Sequence, residues 1–174
     1  MGTTMSGRYM NTKGSGRTVS DFALVHSNEG DFSFPQGREK KRRQKTGEKL
    51  IRLRNGGHGQ DGMNLLDKYG IDYHITKTFK NGVRIGNVPD HAAKHKRVNG
   101  NQSWFPKTWT SKDIRRAGIH VASLKGNRHV PDGKIIYGVY KGVRVGVIRT
   151  HGKISTVFPD KNQSAFIRKK RNKK

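Results

Sequence analysis

The chain has 174 residues, with 37 Lys and Arg against 12 Asp and Glu, a formal net charge of +25. Only 30% of residues are apolar and 22 are glycine, which excludes a thick core spanning the whole length and leaves a compact domain with basic appendages. No apolar run is long enough to span a membrane. The absence of cysteine excludes disulfides, thiolate metal sites and thiol catalysis. The charge calls for a polyanionic partner, nucleic acid first, then an anionic membrane surface or an acidic protein.

Residues 1–45 read as a linker, largely disordered or peripheral. They open on Gly, Ser and Thr and run into REKKRRQK with no sustained apolar period. Phe22, Leu24, Val25, Phe32 and Phe34 could dock on a core but not build one. From Asp61 to Tyr69 the spacing of Met63, Leu65, Leu66 and Tyr69, closed by Gly70, predicts a short helix. Ile71 to Phe79 and Val83 to Val88 flank Asn81-Gly82 and predict a hairpin. The best helix runs from Thr110 to Leu124. Thr110 is its N-cap, Asp113 completes an approximate capping box, and Ile114, Ala117, Gly118, Val121 and Ala122 share one face. Three strands follow, Ile135–Tyr140, Val143–Thr150 and Ile154–Phe158, turning at Lys141-Gly142 and His151-Gly152. The last seven residues, RKKRNKK, carry six positive charges, a solvated tail or an arm for a polyanion. The domain is therefore 46–160 and the basic tail 161–174. NGVRIGNV at 81–88 echoes KGVRVGVI at 141–148. The echo is either common hairpin chemistry or the mark of two α+β halves, each a helix followed by a sheet.

The chain has eight histidines for twelve acids. RNA can be cut with little more than histidine and lysine. One group takes the 2′-hydroxyl proton, another protonates the leaving 5′-oxygen, and a cation steadies the phosphorane. Imidazole suits both proton roles. His58, among the glycines of Arg54-Asn55-Gly56-Gly57-His58-Gly59, sits in a loop able to bring backbone N–H groups and imidazole to a phosphate. His91 and His95 have the i, i+4 spacing of a metal pair. They lack a carboxylate between them, and Lys94, Lys96 and Arg97 would repel a cation. Trp104, Phe105 and Trp109 read as packing anchors at the helix entry, with base stacking the alternative.

Four elements stand in order: GGHG at 56–59, a basic strand ending KHKRVNGNQSWFP at 94–106, KTWTSKDI at 107–114, and ISTVFP at 154–159. Together they resemble the bacterial EndoU endoribonuclease domain, the C-terminal toxin of contact-dependent and other polymorphic toxin systems. The resemblance covers about residues 50–160. It implies an EndoU-like α+β fold of the barnase/EndoU/colicin/RelE type, with two antiparallel sheets, a helical entry and a connecting helix. It also implies metal-independent, cofactor-free cleavage of RNA, with tRNA a possible target, leaving 2′,3′-cyclic phosphate ends. By motif, His58 is a catalytic histidine. Lys96 is the lysine, with Lys94 as fallback. Ser103 is the hydroxyl near the phosphate, and Thr156 and Phe158 stand where the family has Thr and Tyr to seat the base. The family uses a second histidine shortly upstream of the Gly-Gly-His loop. Here the nearest is His26, thirty-two residues away, so His91 is favoured for the role, with His26 or His95 open. Phe158 lacks the tyrosine hydroxyl, which implies relaxed base selectivity.

A toxin needs neutralising, so the resemblance implies a cognate immunity protein, and the charge implies an acidic one. It further implies release from the end of a longer secreted effector, with residues 1–45 as the delivery segment, and action in the cytoplasm of a target bacterium. The competing expectations are a non-catalytic basic RNA- or DNA-binding module and a metal-dependent histidine nuclease.

Overall fold

A computed structural model describes residues 16–38 and 51–164. In chain order the elements are α1 (Asp21–Asn28), β1 (Asp31–Ser33), β2 (Arg52–Asn55), α2 (Gln60–Lys68), β3 (His74–Thr78), β4 (Arg84–Asn87), β5 (Gln102–Trp104), α3 (Ser111–Ser123), β6 (Ile135–Tyr140), β7 (Val143–Thr150) and β8 (Lys153–Pro159). Single 3-10 turns lie at Lys94–Arg97 and Lys125–Asn127. The fold is α+β. Strands β1 and β2 pair alone, and β3-β4-β5 and β6-β7-β8 form two antiparallel meanders.

The second sheet follows its sequence closely. Val143, Val145 and Val147 of β7 alternate into the core and are fully buried against Ile114, Ala117, Val121 and Ala122 of α3. Each such side chain contributes about 1.5–3 kcal/mol on burial. Thr110 caps α3 in a complete capping box with Asp113. The far end of α3 is pinned by Arg149 of β7, buried, which donates to the carbonyls of Gly16, Ala122 and Asn127. Between β7 and β8 the register shifts after Ile148, so that Ile154 and Val157 both face the core while Thr156 and Phe158 face away.

The first sheet sits between two cores. Phe79, Val83 and Ile85 join the main one, while Val88 and Trp104 join a smaller one with Leu53 of β2 and Met63 and Leu66 of α2. Trp104 is fully buried, and Phe105 stacks on Trp109 at 4.9 Å between ring centroids, so these rings are packing anchors and not a base platform. The two sheets meet at β5 and β8, where Ser103 Oγ donates to the Pro159 carbonyl at 2.9 Å. Their hairpins also meet, Asn81 Nδ2 donating to the Gly142 carbonyl.

The structure differs from the sequence reading at both ends. Residues 16–38, expected as linker, carry α1 and β1. Val19 and Ala23 belong to the main core, and Ser27 Oγ accepts from the Val157 amide of β8. The apolar period is too short to register because α1 is held largely by polar contacts. At the other end Gln163, expected in the tail, is fully buried and bonded to Arg144 and Asn81. Residues 1–15, the rest of the expected linker at 39–45, and most of the basic tail (165–174) lie outside the described residues. The basic stretch expected as one strand at 94–106 is a 3-10 turn followed by the short β5.

Candidate active site

The carbonyls that close α1 have no partner within the helix. The loop before α2 supplies one to each. The amides of Gly57, His58 and Gly59 donate to the carbonyls of His26, Ser27 and Asn28 at 3.0, 2.6 and 3.0 Å. Gly56 and Gly57 have φ of +66° and +72°, and a side chain on Gly56 would run into the His26 carbonyl. The glycines of the motif are thus what lets the loop lie against α1, and that contact brings His26 beside His58.

His58 is held from the other side by β5. Its carbonyl accepts from the Phe105 amide at 2.7 Å, and its Nδ1 lies 2.7 Å from the Ser103 carbonyl. A carbonyl only accepts, so Nδ1 carries the proton and Nε2 presents its lone pair. Burial, then the nearby Lys96 charge, push this imidazole from 6.5 down to about 3. It is neutral at neutral pH.

His58 opens onto a cavity of about 440 Å³ at the seam between the sheets. Lys96 and His95 line it from the 3-10 turn, Thr156 and Phe158 from β8, and Tyr137 and Ile148 from the outward face of the second sheet. Phe158 stands 5.9 Å from the His58 ring, centroid to centroid. Tyr137 lies under the Arg144 guanidinium, 3.9 Å from its ring centre, and Arg144 pairs with Asp160. Burial, then Lys161, lower the Lys96 pKa. Asp160, the single carboxylate among the described residues of the wall, is taken by Arg144, so the cavity has an excess of positive charge suited to a phosphate.

Of the residues expected from the sequence, His58, Lys96, Ser103, Thr156 and Phe158 all line this cavity. The Ser103 hydroxyl is spent on the Pro159 carbonyl, and the residue acts on His58 through its backbone. His91, favoured as the second histidine, does not line the cavity. It is 1% exposed, its Nδ1 accepts from the Ala93 amide, and burial followed by Lys96 lowers its pKa to about 4. His26 does not line the cavity either, but it contacts a residue that does. Its Nε2 lies 3.3 Å from Thr156 Oγ1, and its Nδ1 donates to Asp31 Oδ2 at 2.7 Å. The sequence reading placed His58 just before α2 and left His26 open as an alternative, but nothing in the spacing showed α1 lying against the loop. Tyr137 and Ile148 were missed, although inward-facing Ile136 and Val147 imply that their neighbours face outward. No group of three or more His, Cys, Asp or Glu able to hold a metal occurs among the described residues, and His91 and His95 do not share a helix turn.

Comparison with known proteins yields one family. The model for the bacterial EndoU nuclease matches residues 27–161. Neither the curated proteins nor the solved structures gave a match. The matched span includes the Gly-Gly-His loop, Lys96 and the closing Thr-x-Phe-Pro strand, and the chain belongs to the bacterial EndoU nuclease family.

Proposed function

We propose that this nuclease cuts RNA by internal attack of the ribose 2′-hydroxyl, without a metal ion. One observation carries the reading: a neutral imidazole, His58, fixed as the Nδ1–H tautomer, faces a cavity that it shares with Lys96. His58 Nε2 accepts the 2′-hydroxyl proton. The 2′-oxygen bonds to phosphorus as the P–O5′ bond breaks, giving a 2′,3′-cyclic phosphate and a free 5′-hydroxyl. The proton for the 5′-oxygen comes from His26, whose Nδ1 the Asp31 carboxylate holds at 2.7 Å. Asp31 is a positioning residue. The Lys96 ammonium balances the charge that grows on the phosphorane oxygens. A phosphate bound beside Lys96 offsets the charge that depresses His58, so the base gains strength as substrate arrives. Thr156 holds the substrate and Phe158 stacks on a base. Lacking a hydroxyl, Phe158 discriminates weakly among bases.

In this reading the protein is an antibacterial toxin domain delivered from a larger secreted effector, and a cognate acidic immunity protein covers the site. The net charge of +25 supports an acidic partner as it supports RNA. The test is incubation with total tRNA and with plasmid DNA in EDTA. Discrete RNA fragments ending in cyclic phosphate are expected. His58→Ala and His26→Gln should each lower the rate by about 10²–10⁴, with the melting temperature of His26→Gln unchanged within a few degrees. RNA bound but uncut by wild type, or activity lost in EDTA, would overturn the mechanism. Full activity of His26→Gln would return the second role to another histidine.

A further inference from the structure

Lys161 stands on the wall of two cavities. One is the cavity of His58 and Lys96, and the other is an open groove of about 720 Å³ along β3 and β4. We infer that this groove carries the RNA strand flanking the cleaved phosphate, so that the enzyme binds several nucleotides and not the scissile dinucleotide alone. The inference rests on the cleavage reading above and extends it.

The lining of the groove is chemically one-sided. Among the described residues it contains Lys77 and Lys161, the amides of Asn87, Asn99 and Asn162, and no carboxylate. Lys161 donates to the Asn101 amide oxygen at 3.0 Å, and Lys77 lies over the Phe79 ring at 4.6 Å. Neither lysine pairs with an acid among the described residues. Two held ammonium groups without counterions suit a phosphate chain, and neutral amides accommodate sugar and base edges without sequence demand. The wall is preformed. The Gly100 amide donates to Asn87 Oδ1, tying the loop to β4, and Thr76 Oγ1 donates to the Ile85 carbonyl. Strand β3 is exposed at all five positions and lies at the sheet edge, so nothing in the described chain covers the groove. An acidic protein could also seek this edge. The continuity through Lys161 into the catalytic cavity favours the strand that the cavity cuts.

The experiment compares Lys77→Glu with Lys112→Glu, an exposed charge reversal on α3 that controls for net charge. Two substrates each carry one cleavable ribose, a dinucleotide and a twelve-nucleotide strand otherwise of deoxyribose. For wild type, kcat/KM should be larger for the long strand. Lys77→Glu should lower the long-to-short ratio about tenfold and reduce the salt dependence of long-strand binding by about one ion. Lys112→Glu should leave the ratio in place. Anisotropy with a fully 2′-O-methylated twelve-nucleotide RNA, which cannot be cut, reads the groove even if cleavage fails. Here Lys77→Glu should weaken binding about tenfold relative to Lys112→Glu. Equal losses in the two variants, equal rates on the two wild-type substrates, or binding indifferent to Lys77→Glu would overturn the proposal. In that last case an acidic protein partner becomes the better occupant. Absence of cleavage with the anisotropy difference intact would sink the catalytic reading and spare the groove.

Discussion

The two meanders carry the same local sequence to different ends. Gly82-Val83-Arg84-Ile85-Gly86 in β4 and Gly142-Val143-Arg144-Val145-Gly146 in β7 both follow a hairpin turn, and both send their aliphatic side chains into the main core. Each sheet also follows a helix in the chain, α2 before β3–β5 and α3 before β6–β8. The other face is where they part. In the first sheet Arg84 is buried, donating to the Gln60 amide oxygen and the Phe105 carbonyl with no acid partner among the described residues. In the second, Arg144 is partly exposed, stacks on Tyr137 and takes Asp160. One arginine ties a loop to a strand, and the other shapes a binding surface. A repeated motif therefore specifies the hairpin and the inward face. What lies above the outward face specifies the role: α2 and β2 over the first sheet, an open cavity over the second.

Acid offers the largest test of this contrast. The two buried histidines lie on the side of the first sheet, His58 bonded to β5 and His91 just after β4. Their folded pKa values, about 3 and about 4, lie below the unfolded 6.5. The unfolded chain therefore takes up protons first. Their contribution is complete above pH 6.5 and declines as pH falls toward 4 and 3, by about 1.4 kcal/mol per pH unit for each histidine. Urea titrations between pH 7 and 4 should show a loss of several kcal/mol. Amide exchange at pH 4.5 should quicken in β4 and β5 before β7. A flat stability profile, or β7 opening first, would break the contrast.

The paired glycines come next. An added Cβ at Gly86 meets the His74 backbone carbonyl, which cannot yield, whereas at Gly146 it meets the tip of the Phe158 ring at 2.6 Å. Gly86→Ala should cost about 1–3 kcal/mol, at the upper end of that range, with little change in kcat for the folded fraction. Gly146→Ala should keep nearly full stability but displace Phe158, changing KM or base preference. Denaturation curves alongside cleavage of the four homopolymers would decide, and the same outcome for both variants would mean that the two outward faces are not distinct. The smallest effect belongs to the cap. Thr110→Ala removes the acceptor for the Asp113 amide and should cost about 1 kcal/mol, with cleavage unaltered, because α3 supports the core face of the second sheet and stands away from the cavity.

Much of the second half was legible from its residues. The cap at Thr110, the buried face of α3 and the β6–β8 meander all follow from local rules, since cap chemistry, a period of 3.6 and a period of 2 act over a few residues. His58, Lys96, Thr156 and Phe158 were legible through the family motif, and the structure gathers them in one cavity. The sequence by itself thus determined the charge, the hairpins, the capped helix and the motif histidine with its glycines. Tertiary structure alone decided which histidine lies against its loop. His26 sits in a stretch without an apolar period, and nothing local marks it. It comes to lie against the Gly-Gly-His loop and Thr156 because the carbonyls ending α1 need donors and the Gly57–Gly59 amides supply them. His91, nearer in sequence to Lys96, turns inward because its Nδ1 is claimed by the Ala93 amide. Hydrogen bonds between distant segments have no signature in sequence spacing, and in this protein they choose which histidine is brought against the Gly-Gly-His loop.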